Sequence, residues 1–121
     1  MAVANYSEEH EIVITDRFND LLASCSKVVK KEEDWELIRR AFFLAKEAHK
    51  GVLRRSGEPY ILHPIAVAKI VVEEIGLGVK SVAAALLHDV VEDTDYTVEE
   101  IKTIFGEKIA YMVDGLTKMA G

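Results

Sequence analysis

Val82-Ala83-Ala84-Ala85-Leu86-Leu87-His88-Asp89-Val90-Val91-Glu92-Asp93-Thr94 is the stretch on which the reading of this chain turns. From about Val79 to Val91 the side chains are apolar almost all round, which predicts a central helix enclosed by other helices rather than one lying on a surface. That helix then ends on an imidazole and a carboxylate, with two further acids just beyond. A neutral imidazole nitrogen and an ionised carboxylate oxygen together suit a hydrolytic divalent metal such as Mn, Fe or Zn. Glu92 and Asp93 are then candidates for handling an attacking water. The alternative for these two is a pair of exposed acids at the helix exit. Carboxylates are mildly unfavourable at the negative end of a helix, and a nearby cation would offset that. The combination points toward metal-dependent phosphohydrolase chemistry.

Working outward, glycine and proline divide the chain into short helices. From about Ser7 to Val29, Val13, Ile14, Phe18, Leu21, Leu22 and Cys25 recur at three- and four-residue steps, as one buried face requires. Asp34 is placed to cap a second helix, whose stripe of Leu37, Ile38, Ala41, Phe42, Ala45 and Ala48 ends at His49. Gly57 and Pro59 make Gly51 to Leu62 an ordered loop, and Pro64 suits the first turn of a helix to about Ile75, stopped by Gly76 and Gly78. Thr97-Val98-Glu99-Glu100 has capping-box spacing and opens a short helix to about Phe105. After Gly106, Ile109, Met112, Val113 and Leu116 can face the core of another. No alternating strand pattern competes, so the domain is expected to be all-α.

The 121 residues, half of them hydrophobic, suit one domain that buries a core without disulfides. The single cysteine, Cys25, reads as a small core or boundary side chain. No apolar run approaches the roughly 18 residues that cross a bilayer. The acidic amino terminus, with Glu8, Glu9 and Glu11, does not resemble a secretion signal. A cytoplasmic protein without membrane partners is expected. The net charge of −6 argues against direct nucleic-acid binding, which needs clustered Lys and Arg. A small phosphorylated ligand remains compatible, because Lys46, Lys50, Arg54 and Arg55 make a local positive patch.

His63 precedes a proline at a predicted helix start, and His88-Asp89 closes the following helix. Two antiparallel helices joined by a short turn bring the start of the first near the end of the second, so His63, His88 and Asp89 can converge as three metal ligands. Alone, His63 reads first as a satisfied helix-entry histidine, and it is the combination with His88-Asp89 that favours a ligand. Arg54, Arg55 and Ser56 offer two guanidiniums and a hydroxyl for phosphate recognition, with Gly57 permitting close backbone approach; a solvated basic loop is the plainer alternative. His49 is expected to support this ligand loop, with a core histidine or a metal neighbour as the alternatives.

These motifs resemble the amino-terminal hydrolase domain of the RelA/SpoT family of alarmone enzymes. The resemblance is carried by Ala48-His49-Lys50-Gly51, by Arg54-Arg55-Ser56-Gly57-Glu58-Pro59-Tyr60-Ile61-Leu62-His63-Pro64, by Ala84 through Thr94, and by Phe105-Gly106 with Val113-Asp114-Gly115-Leu116-Thr117-Lys118. It implies an incomplete HD-domain helical bundle of about six helices, with residues 1–33 as a helical lead and 34–121 as a partial HD domain. It further implies removal of the 3′-diphosphate from (p)ppGpp, giving GDP or GTP and pyrophosphate, with Mn2+ as the metal. His63, His88 and Asp89 are the implied ligands, Glu92 and Asp93 the water-activating pair, and Arg54, Arg55 and Ser56 the nucleotide loop. The family also supplies a metal-binding Asp from a downstream Leu-Ala-Asp-Arg-Leu-His-Asn-like segment, and nothing like it occurs before Gly121. A truncated chain is therefore expected, with synthetase and regulatory domains in its parent, a missing fourth ligand and weakened metal binding. A regulatory alarmone-binding module and an HD phosphohydrolase for another nucleotide are the rival readings.

Overall fold

The computed structural model describes residues 6–120, with side chains through Leu116. Residues 1–5 of the helical lead, and the side chains of Thr117 and Lys118, lie outside the described residues. Six α-helices follow one another: α1 Glu8–Cys25, α2 Glu32–Ala48, α3 Leu62–Ile70, α4 Val79–Asp93, α5 Val98–Phe105 and α6 Glu107–Ala120, with a π-helical turn at Val71–Ile75 extending α3. No strand occurs among the described residues, and Leu53 and Pro59 form an isolated antiparallel bridge. The all-α expectation therefore holds. No helix among the described residues is long and apolar enough to cross a membrane.

The helix starts follow from local chemistry. Ser7 caps α1 by accepting from the His10 amide at 3.1 Å, and Glu8, Glu9 and Glu11 place negative charge against the positive end of the helix dipole. The cap expected of Asp34 is not made. Helix α2 starts earlier, at Glu32 behind Lys31, and Asp34 instead reaches back to accept from the Lys30 amide at 2.9 Å. It acts like the acidic member of a capping box without its Ser or Thr partner. The predicted box at α5 is complete, with Thr97 accepting from the Glu100 amide at 3.1 Å and Glu100 accepting from the Thr97 amide at 3.0 Å.

Helix α4 is the centre of the bundle and packs against α2, α3 and α6. Val82 through Leu87 are all buried, and the run Ala83-Ala84-Ala85 keeps its girth small enough for neighbours to approach on several sides. One core joins these residues to Ile38, Phe42 and Ala45 of α2, Ile65 and Ala68 of α3, Ile101 of α5, and Ile109 and Val113 of α6. From α1, Ile14, Phe18, Leu21 and Cys25 enter the same core, and Phe18 stacks on Phe42 with ring centroids 3.8 Å apart. Burying a Leu, Ile or Phe contributes roughly 1.5–3 kcal/mol each. Enclosure also pushes the Cys25 thiol up to about 11, as suits an inert core side chain.

Helices α3 and α4 form the hairpin that matters for function. The chain enters α3 through a turn in which the Leu62 and His63 amides donate to the Pro59 and Tyr60 carbonyls, so the helix begins at Leu62 rather than Pro64. Pro64 still lies in the first turn, where its missing N–H is harmless. At the other end both the Gly76 and Leu77 amides donate to the Val71 carbonyl, with Gly76 at φ +80°. That left-handed residue turns the chain, and α4 runs back alongside α3 to Asp93, past the expected end at Val91. The Thr94 amide and hydroxyl both bond the Val90 carbonyl and close the helix there.

Candidate metal centre

The α3–α4 hairpin brings its open ends together, and with them His63 from the first turn of α3 and His88-Asp89 from the penultimate turn of α4. One donor atom from each of His63, His88 and Asp89 lies within 4.8 Å of the others. His88 Nε2 is 3.1 Å from Asp89 Oδ1, and His63 Nε2 is 3.7 Å from Asp89 Oδ2. The cluster sits at the edge of the core, with Asp89 buried and both imidazoles half-buried.

The surroundings set the state of each donor. His88 Nδ1 lies 2.5 Å from the Ala85 carbonyl, which can only accept, so Nδ1 carries the hydrogen and Nε2 is the atom turned to the cluster. The Asp89 side chain raises the His88 pKa through its hydrogen bond, against the opposing effect of burial. Burial lowers that of His63, with Arg54 and His88 adding to the depression and Asp89 opposing it. Burial alone would raise the Asp89 pKa, but hydrogen bonds from His88 and Tyr60 and the nearby imidazoles outweigh it and hold the carboxyl below its ordinary value. The carboxylate is thus ionised and His63 neutral, as a cation needs, while His88, on which Asp89 favours a proton at Nε2, would release that proton to ligate one. Two imidazole nitrogens and one carboxylate oxygen are the donor chemistry of a borderline divalent ion, and their spread approaches what bonds of about 2.0–2.2 Å span. The residues present fit a divalent metal.

Glu92 and Asp93 lie one helical turn beyond His88 and Asp89, on the same face of α4, and both are exposed. The Glu92 charge is felt at His88, and that of Asp93 at His63 and Tyr60. Asp93 Oδ2 also lies 3.4 Å from His49 Nε2. His49 is buried, bonds the Ala45 carbonyl through Nδ1 at 3.0 Å and stacks on Tyr60 at 4.8 Å, so it supports the site from beneath. Arg54, Arg55 and Ser56 stand exposed on a small hairpin. The Arg54 amide donates to the Glu58 carbonyl, the Gly57 amide to the Arg54 carbonyl, and Gly57 has φ +89°. Arg54 is close enough to depress the His63 pKa, whereas Arg55 and Ser56 occupy the tip.

Tyr60 was not among the residues singled out for chemistry. Its hydroxyl donates to Asp89 Oδ2 at 2.7 Å, and burial followed by that bond raises its pKa far above the ordinary range, so the phenol stays protonated. The available signal was its position one turn before His63. A groove of about 580 Å³, walled by Val67, Val71, Ala84, Ala85 and Met112, runs between α3, α4 and α6 and reaches His88. His88 thus joins the cluster to a concave apolar surface, which His63 and Asp89 do not line.

Comparison with known proteins supplies the family. The "HD domain" family model matches residues 41–121. A "Guanosine-3′,5′-bis(diphosphate) 3′-pyrophosphohydrolase" of Vibrio cholerae is 43% identical over 100 residues, 83% of this chain and 14% of that protein. The "Bifunctional (p)ppGpp synthase/hydrolase SpoT" of Escherichia coli K12 is 44% identical over 88 residues, 73% of this chain and 12% of that protein. A "Probable GTP pyrophosphokinase" of Mycobacterium leprae is 44% identical over 98 residues, 81% of this chain and 12% of that protein. The chain thus spans only a small fraction of the length of these relatives. HD domains are metal-dependent, in keeping with the donor set of His63, His88 and Asp89. With the family model covering the last two turns of α2 and all of α3 through α6, the chain belongs to the HD domain family.

Proposed function

We propose that this domain hydrolyses the 3′-diphosphate of (p)ppGpp, releasing pyrophosphate and leaving GDP or GTP, with Mn2+ held by His63, His88 and Asp89. The observation that carries the reading is the meeting of these three donors within 4.8 Å, one helical turn from an acid pair. The names of the relatives support the choice of substrate. Bound there, the ion would supply Lewis acidity toward a phosphate oxygen and acidify water. Glu92 and Asp93 position that water and take up its proton; Asp93 is steadied by His49. Arg54, Arg55 and Ser56 bind phosphate oxygens through charge-assisted hydrogen bonds, with Arg54 nearest the metal ligands. A binding module that merely senses the nucleotide has no use for two acids at the negative end of α4 beside a cation site. The joining of synthase and hydrolase in one relative's name supports a synthetase domain as a partner in the parent chain; regulatory domains and a cytoplasmic location complete the proposal.

The test uses the full natural chain that carries these residues. Incubated with ppGpp and Mn2+, it is expected to release pyrophosphate and GDP, and to stop when the metal is chelated. Intact ppGpp after incubation with metal-loaded protein would remove the reading; cleavage of a dNTP or cyclic dinucleotide in its place would redirect it to another nucleotide.

A further inference from the structure

The geometry points to Tyr60 as a positioning residue for the metal centre: its phenol fixes the Asp89 carboxylate in the orientation that faces His63 and His88. The inference builds on the proposed metal site and adds a residue to it. An aspartate on a helix has a broad, weakly restrained terminal torsion, so a carboxylate at the edge of a core does not by itself present one fixed oxygen to an ion. Here Asp89 Oδ2 accepts from the Tyr60 hydroxyl at 2.7 Å, while Oδ1 lies 3.1 Å from His88 Nε2. One accepting position of Oδ2 is therefore taken by the phenol, and rotation of the carboxylate would break that bond.

Tyr60 can hold Asp89 because Tyr60 is itself held from three directions. Its amide donates to the Val52 carbonyl at 2.9 Å across the base of the small hairpin. Its carbonyl accepts from the His63 amide at 2.9 Å, tying it to the turn that carries a metal ligand. Its ring stacks on His49 with centroids 4.8 Å apart and planes 28° from parallel, and His49 is buried and anchored to Ala45. The phenol thus reaches Asp89 from a fixed base. Outer hydrogen bonds of this kind orient ligating side chains, and their loss typically weakens metal binding by about 10–100-fold. The same residue links the hairpin bearing Arg54 to a metal ligand, so the phosphate-facing loop and the ion site keep a set distance.

Tyr60→Phe keeps the ring, the stack and both backbone bonds and deletes only the hydroxyl. Mn2+ affinity is measured by calorimetry on the full natural chain and on this variant, with the unfolding midpoint of each metal-free protein recorded in parallel. The expected result is Mn2+ binding weaker by about 10–100-fold, with an unchanged metal-free midpoint. Equal affinities in the two proteins would overturn the role of Tyr60 while leaving the metal site standing. Weakening matched by a drop in the metal-free midpoint would overturn it too, since the hydroxyl would then serve the fold alone. An unaltered protein that binds no Mn2+ would remove the metal site itself and Tyr60's role with it.

Discussion

Along α4, Val82 to Leu87 are all buried and apolar, whereas from His88 to Asp93 four of the six side chains are ionisable and, after Val90, the helix leaves the core. The first part is held by packing against α2, α3 and α6. The second is held by specific partners: the Ala85 carbonyl for His88, Tyr60 for Asp89, His49 for Asp93. Stability and chemistry are thus laid end to end on one helix. The apolar part gives the polar part a rigid footing and adds no reactive group, while the polar part gathers negative charge where the helix dipole opposes it.

Substitutions in the two parts should therefore separate activity from stability. The largest effect is expected at Asp89→Ala. Pyrophosphate release from ppGpp should fall to background and Mn2+ binding should be lost, while metal-free stability changes by no more than about 1 kcal/mol, because water can replace the lost partner of the half-buried Tyr60 and His88. Activity assay, calorimetry and urea unfolding read this directly, and a variant that stays active would break the division. Leu86→Ala, one turn back in the enclosed part, should do the reverse. It should destabilise the domain by about 2–5 kcal/mol and leave the Mn2+ affinity of the folded fraction unaltered; an affinity change larger than the loss of folded protein would show that the two parts are coupled. Thr97→Ala lies outside both and should give the smallest effect, about 0.5–2 kcal/mol of stability from the lost cap, with no change in metal binding.

Much of this arrangement was legible in the sequence, and the parts that were not have identifiable causes. The enclosed nature of α4 and the capping box at Thr97 depend on periodicity and on local backbone bonding, both of which act over a few residues. The meeting of His63 with His88-Asp89 followed from two helices of similar length joined by a glycine turn. Asp34 misled because an acid at the start of a helix serves equally at the cap or in the first turn, and only the bond to Lys30 distinguishes them. The last turn of α4 was missed because the Thr94 bonds to Val90 that close it are not visible as a pattern. The π-helical widening at Val71–Ile75 leaves no mark on the spacing of apolar residues. Tyr60 was missed because its partner Asp89 is distant in sequence and only the fold of the hairpin brings the phenol to it.

The short glycine turn between α3 and α4 has a consequence for how the domain comes into being. All three candidate donors lie within one helical hairpin, so bringing them together costs only the small entropy of closing a short loop. Low contact order favours early formation. The geometry of the candidate site is therefore set by local chain connectivity, and rearrangement of the distant helix α5 leaves it in place.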